Sequence, residues 1–311
     1  GDEITDRSKL LVATAEFLTK RFRLDVRTRN EAIRIDRERK VVEIIDHATD
    51  RSYEQSYDKL ILAPGASPLV VPMEGADATN VFTLRNVADT DEIRAVVDSG
   101  KVKQACVVGA GYIGLEMVEQ LAHRGLKVSL AELRPQVLPP FDPEMVQPIV
   151  EELRKNDVAV FLGDGIQSIV TDGQGVATGV KLASGTTIEA DLVLLGLGVR
   201  PNTRLASEAG LEIGSSGGIA TNEFMQTNDP DIYALGDAAE YCFGPTKKRQ
   251  RIALAGPANR AGRLAGQHAA TDRSDPMADV LGTAIVRVFD QTAAMTGLTV
   301  KAAKGAGIDA D

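Results

Sequence analysis

The sequence predicts an α/β, doubly wound architecture of more than one unit, and three observations predict it. A complete GxGxxG run, Gly109-Ala110-Gly111-Tyr112-Ile113-Gly114, follows the apolar run 105–108 and opens a helical pattern through Leu115, Val118, Leu121 and Ala122. Apolar strand-like segments alternate with amphipathic helix-like ones along most of the chain. The unit carrying the glycine run starts only near residue 101, so what precedes it belongs to another domain.

The elements read in order as follows. Residues 5–23 form a helix, capped by Thr5 or Asp6, with Leu10, Leu11, Ala15, Phe17 and Leu18 on its apolar face. Leu24-Asp25-Val26 reads as a short strand, and 31–35, 40–46 and 51–57 alternate as a β-meander. Residues 59–63 are a continuous apolar strand ending in Pro64-Gly65, and Val70, Val71, Pro72 and Gly75 mark a loop. A helix covers 86–99 and a βαβ unit covers 104–132. A helix over 142–156 precedes strands near 158–162, 166–170 and 176–183. Residues 191–196 are a buried strand running into a glycine turn, 218–221 a short strand, and 231–237 a strand with a glycine–acid end. The basic cluster 247–251 reads as a solvated loop, 257–270 as a helix, and a further strand pattern starts at Gly282.

The βαβ unit carries the clearest chemistry. The first glycine makes a tight turn, the second lets the backbone approach a pyrophosphate, and the third lets helix pack on strand. The pyrophosphate then meets the helix N-terminus, where N–H groups and the helix dipole favour an anion. Glu132 ends the next apolar run at the spacing where a carboxylate accepts hydrogen bonds from an adenosine ribose. A carboxylate there suits the free 2′-hydroxyl of NAD(H) and repels the 2′-phosphate of NADP(H), so NAD(H) is preferred; Arg134, two residues on, softens that preference.

Composition sets the class. At 311 residues there is room for about two domains, and a net charge of -9 argues against a nucleic-acid surface. No apolar stretch reaches the ~18 residues of a membrane span, and the first residues are polar, without a signal-peptide pattern. Two cysteines, Cys106 in a strand and Cys242 in a loop, provide no disulfide framework, and neither is expected to be catalytic. A cytoplasmic protein with no metal site, nucleic-acid partner or membrane partner is expected.

Further motifs carry a resemblance. Leu62-Ala63-Pro64-Gly65-Ala66-Ser67-Pro68, the GAGYIG loop, Gly196-Leu197-Gly198-Val199-Arg200-Pro201-Asn202 and Asp231-Ile232-Tyr233-Ala234-Leu235-Gly236-Asp237 occur in this order. Together they resemble the FAD- and NAD(P)H-dependent pyridine nucleotide-disulfide oxidoreductases. Thr83-Leu84-Arg85-Asn86, Leu254-Ala255-Gly256-Pro257-Ala258-Asn259-Arg260 and Val286-Arg287-Val288-Phe289-Asp290-Gln291-Thr292 resemble the branch of coenzyme A-disulfide reductases, persulfide reductases and NADH oxidases or peroxidases.

The resemblance implies two Rossmann-like, three-layer nucleotide-binding domains, the FAD-binding one discontinuous and incomplete. Residues 1–100 and 222–278 would be its two parts, 101–221 the NAD(P)-binding domain, and 279–311 the start of a C-terminal dimerisation domain. The family's first FAD glycine loop and its redox cysteine are expected upstream of Gly1, so no residue here is assigned as catalytic, and the segment alone is expected to be inactive. FAD and NAD(H) are the implied cofactors. Asp237, after Gly236, would accept hydrogen bonds from the ribityl chain of FAD, although Asp is also a common helix cap. Ala63, Pro64 and Gly65 would pass close to FAD, although Pro-Gly alone is simply a turn. Ala255 and Pro257 would bring a helix N-terminus to the flavin's pyrimidine edge. Gly198, Tyr112 and Ile113 join the glycines and Glu132 as cofactor contacts. Asn259, Lys20 and Arg21 would approach coenzyme A, with a solvated helix end the competing account of Lys20 and Arg21. The implied activity is hydride transfer from NAD(P)H via FAD to a small disulfide, coenzyme A disulfide or a persulfide, in a homodimer. The alternatives are an NADH oxidase or peroxidase, and a catalytically inert NAD-binding fragment.

Overall fold

The computed structural model describes residues 4 and 6–310; the expected Thr5 cap and the polar start Gly1–Glu3 lie outside the described residues. The mixed α/β chain divides into two compact units, Gly1–Ala66 with Pro201–Val280, and Ser67–Arg200 with Leu281–Asp311.

The second unit is built on a parallel sheet in the order Val81–Phe82, Leu192–Leu195, Gln104–Val108, Lys127–Glu132, Ala159–Leu162. Its strands read as continuous apolar runs because both faces are covered. Ala105, Val107, Val128, Leu130, Leu192 and Leu194 point to one side, into a cluster with Leu115, Val118 and Leu121 of helix Tyr112–His123 and Ile149, Val150 and Leu153 of helix Gln147–Lys155. Cys106, Val108, Ala131, Val193 and Leu195 point to the other, against Ile169, Val180, Leu182 and Ile188 of an antiparallel meander, Ile166–Thr171, Ala177–Leu182 and Thr187–Glu189. Helices, parallel sheet and meander are the three layers. Helix Val87–Asp98 starts in a capping box, with Asn86 accepting from the Asp89 N–H and Asp89 accepting from that of Asn86.

The compact units divide at 66/67, 200/201 and 280/281. Residues 67–100 join the parallel sheet because Val81–Phe82 pairs with it and Ile93 fills its core. Residues 281–311 join because the hairpin Ala284–Val288/Gln291–Met295 buries Val286, Val288, Phe289 and Ala293 in the same cluster, and Glu119 accepts the Phe289 N–H at 2.9 Å.

In the first unit, strand Leu60–Leu62 pairs in parallel with Ile232–Ala234. The expected meander forms as Asn30–Asp36, Val41–Asp46 and Arg51–Ser56. Long-range ion pairs fix it: Arg37 Nε lies 2.7 Å from Asp229, and Asp231 receives Lys59 Nζ at 2.9 Å as well as Lys40.

Several elements differ from the sequence reading. The helix over 5–23 is two pieces, a 3-10 turn Arg7–Leu10 capped by Asp6 and helix Ala15–Phe22, because Thr14 Oγ1 accepts the Phe17 N–H at 3.1 Å and starts a new helix. Leu24–Val26 is not a strand, and 218–221 contributes only Ile219 bridges. Residues 142–156 begin with a 3-10 turn, Pro143–Val146, ahead of the α-helix. The basic cluster is a strand, Lys248–Arg251, antiparallel to Glu240–Phe243, which also takes Cys242 out of a loop.

The Asp231 cluster gives a pH prediction. Hydrogen bonds from Lys40, then Lys59, hold the Asp231 carboxyl below the usual carboxylate range. A depressed folded-state pKa contributes stability that is fully present above the unfolded value of about 3.9 and is lost as pH falls through the folded value. Asp231→Asn should therefore lower the urea midpoint at pH 6, with a smaller difference at pH 3. A difference that grows on acidification would contradict the assignment.

Candidate functional site: glycine turns at strand C-termini

In the second unit the chain leaves Gln104–Val108 for Lys127–Glu132 on one side and later returns to Leu192–Leu195 on the other. Such a reversal opens a crevice at the strands' carboxyl ends. The glycine run sits there. Gly109 has φ +104°, and a Cβ on it would lie 2.3 Å from the Gly196 carbonyl oxygen. A Cβ on Gly114 would lie 1.9 Å from the Gly109 carbonyl oxygen, so helix and turn touch. Gly111 differs: a Cβ there meets nothing within 4 Å. It is also the N-cap of helix Tyr112–His123 and supplies no side-chain cap bond. The second glycine thus faces open space at a helix N-terminus, the cradle that a pyrophosphate fits. Ile113 is 37% exposed at the same end, burial raises the Tyr112 phenol pKa, and Gly198, at φ +102°, has nothing within 4 Å of its Cβ position.

Glu132 is only 9% exposed. Its Oε2 accepts the Ala110 N–H at 2.7 Å and its Oε1 accepts the Arg134 N–H at 2.7 Å. Each oxygen keeps acceptor capacity, since a carboxylate offers about four lone-pair sites. The side chain therefore shapes the glycine loop and retains lone pairs for further donors. The shaping role was invisible in the spacing. So was Leu138, whose N–H donates to the Ala110 carbonyl at 2.8 Å.

In the first unit, Ala63-Pro64-Gly65 and Leu235-Gly236-Asp237 leave adjacent parallel strands at the same end. Gly65 and Gly236 have φ of +68° and +74°, and a Cβ on Gly236 meets nothing within 4 Å. Tyr241 Oη accepts the Gly236 N–H at 2.7 Å and donates to its carbonyl at 3.2 Å, locking the turn. Burial pushes the Tyr241 phenol up to about 12, so it stays a neutral donor. No motif pointed to this residue. Helix Ala255–Thr271 packs against the Gly236–Ala238 turn and has no side-chain N-cap bond. Ala255 is exposed and Pro257 half-buried in its first turn. The open turn, the half-buried carboxylate of Asp237 and the uncapped helix end suit a polyhydroxyl and an electron-rich ring, as FAD would bring.

Asn259 lies exposed on that helix, whereas Lys20 and Arg21 lie on helix Ala15–Phe22, Lys20 bonded to Glu16 at 2.5 Å and Arg21 over the Phe22 ring. Cys106 is fully buried, which pushes its thiol up to about 12 and leaves it a core residue. Cys242 is half-buried, and its thiol pKa is raised by its hydrogen bond to Asp279. No helix among the described residues is long and apolar enough to cross a membrane.

A family model described as pyridine nucleotide-disulphide oxidoreductase matches residues 5–262. A coenzyme A disulfide reductase of Staphylococcus aureus is 34% identical over 298 residues, 96% of this chain and 66% of the relative's length. Among solved structures, reduced CoADR-RHD of Bacillus anthracis has 43% identity and a TM-score of 0.92 over 98% of this chain and 54% of its own. A water-forming NADH oxidase from Lactobacillus brevis bound to NADH has 30% identity and a TM-score of 0.93 over 100% of this chain and 67% of its own. The chain therefore spans just under two thirds of the curated relative that it matches.

Proposed function

The chain belongs to the pyridine nucleotide-disulphide oxidoreductase family, and on that premise we propose that the whole protein passes hydride from NADH, through FAD, to a small disulfide-type substrate, coenzyme A disulfide or a persulfide. The observation that carries this reading is the crevice at Gly109–Gly114, with an open second glycine and a buried carboxylate beside it. Gly111 and the first turn of helix Tyr112–His123 hold the pyrophosphate, Glu132 receives the adenosine ribose, and Gly198 leaves room beside them. The Glu132 carboxylate selects NADH over NADPH by accepting the 2′-hydroxyl and repelling a 2′-phosphate. On the other unit Asp237 would receive ribityl hydroxyls, Ala63, Pro64 and Gly65 would border the flavin, and the Ala255–Pro257 turn would offer it the positive end of a helix. Bound FAD would supply the two-electron chemistry linking a nicotinamide to a thiol–disulfide pair. Neither Cys106 nor Cys242 serves as that thiol. The protein acts as a homodimer, and Asn259, Lys20 and Arg21 are candidate contacts for coenzyme A.

The full-length protein should purify yellow. NADH should bleach its flavin band without air, and coenzyme A disulfide should restore it. Restoration by oxygen but not by the disulfide would favour the second reading, an NADH oxidase, which the likeness to the Lactobacillus brevis structure supports. Asp237→Ala should reduce flavin affinity by roughly tenfold or more, the worth of a charge-assisted hydrogen bond. Full flavin occupancy in that variant after dialysis would remove Asp237 from the site.

A further inference from the structure

The loop between Glu132 and Asp142 is tied to the glycine run by a continuous series of hydrogen bonds. The Ala110 peptide has both polar groups fixed, its N–H on Glu132 at 2.7 Å and its carbonyl on the Leu138 N–H at 2.8 Å. Leu138 is fully buried at φ +46°, a left-handed conformation that a leucine holds only when its surroundings impose it. The Phe141 N–H donates to the Leu138 carbonyl at 2.9 Å, and buried Gln136 donates to the Phe141 carbonyl at 2.9 Å.

A clamp closes on this loop from the other end of the sequence. Lys301 Nζ donates to the Pro139 carbonyl at 2.7 Å and to the Phe141 carbonyl at 3.1 Å. In return the Asp142 carboxylate accepts the Val300 N–H at 2.8 Å and the Lys301 N–H at 2.9 Å. Four charge-assisted bonds thus run between two short segments, an ammonium onto loop carbonyls and a carboxylate onto backbone amides. Both segments lie in the parallel-sheet unit.

We propose that Lys301 is a positioning residue for dinucleotide binding. Through Pro139 and Phe141 it holds the 133–142 loop, and through Leu138 it holds Ala110 in the geometry that receives the ADP half of the dinucleotide. This rests on the reading of Gly109–Glu132 as the dinucleotide site.

The test is equilibrium titration of the full-length protein with NADH, with ADP-ribose and with nicotinamide mononucleotide, alongside thermal unfolding. Lys301→Met keeps the aliphatic stem and removes the donors; Lys301→Arg keeps charge and donors. Lys301→Met should raise Kd for NADH and for ADP-ribose by roughly three- to tenfold and leave nicotinamide mononucleotide unchanged, while Lys301→Arg recovers most of the loss. Asp142→Asn loosens the clamp from the loop side and should raise the same two constants, which keeps the test intact if Lys301→Met does not fold. A lowered unfolding midpoint with ADP-ribose affinity unchanged would make Lys301 merely structural and overturn the proposal. Wild-type protein that binds neither NADH nor ADP-ribose would overturn the dinucleotide reading and this proposal with it; wild-type binding that both variants match overturns this proposal alone.

Discussion

Gly109→Ala should abolish measurable NADH binding and destabilise the parallel-sheet unit by about 2–5 kcal/mol. Two costs add. At φ +104° an L side chain is strained, and the new Cβ would meet backbone, the Gly196 carbonyl oxygen at 2.3 Å and its carbon at 2.8 Å. Neither atom can rotate away as a flexible side-chain tip could. Relief requires separating Gln104–Val108 from Leu192–Leu195 at their carboxyl ends, and Gly196 also donates to the Val108 carbonyl at 2.7 Å across that seam. Gly111→Ala is the internal control for space: nothing lies within 4 Å of its Cβ, so stability should change little while dinucleotide affinity falls. Chemical denaturation and calorimetric titration of both variants read the two effects separately. A Gly109→Ala protein as stable as wild type would mean that the turn is not built as described.

Glu132→Ala should weaken NADH binding by about 1.5–3 kcal/mol, roughly ten- to a hundredfold, and NADPH binding by less. NADH loses an acceptor for its ribose hydroxyls, whereas NADPH also loses a repulsive charge. The variant should be less stable as well, since the Ala110 and Arg134 N–H groups lose their acceptor and a buried unpaired donor costs about 1–3 kcal/mol. A carboxylate serving only the ribose would leave the unfolding midpoint of the unliganded protein unchanged. Titration with both nucleotides, together with that midpoint, checks the two roles at once. Unchanged affinity for both nucleotides would remove Glu132 from the site.

What was legible in the sequence and what was not follows from the range of the forces involved. The βαβ unit was readable because its determinants are local: the continuous apolar run Ala105 to Val108, helical spacing of Leu115, Val118 and Leu121, and glycines where a Cβ cannot fit. The helix beginning at Asn86 and the meander strands were readable for the same reason, whereas the capping box at Asn86 emerged only in the structure. The Lys248–Arg251 strand was not, because what makes it a strand is its antiparallel pairing with Glu240–Phe243. The break at Thr14 was hidden because apolar residues continue across it at helical spacing, although none on helix Ala15–Phe22 is buried. The contacts of Glu119, Asp142 and Lys301 join residues more than 150 positions apart, and no periodicity carries such information. Tyr241 and Leu138 act through backbone groups, which residue identity alone does not reveal.

The central claim is that the crevice at Gly109–Glu132 binds a dinucleotide and prefers NADH. Its most direct test is side-by-side calorimetric titration of the full-length protein with NADH and NADPH at one ionic strength. The account predicts saturable binding of both, with NADH tighter by roughly tenfold or more, the worth of a carboxylate that accepts a 2′-hydroxyl and repels a 2′-phosphate. NADPH binding as tightly as NADH, or no saturable binding of either, would contradict it.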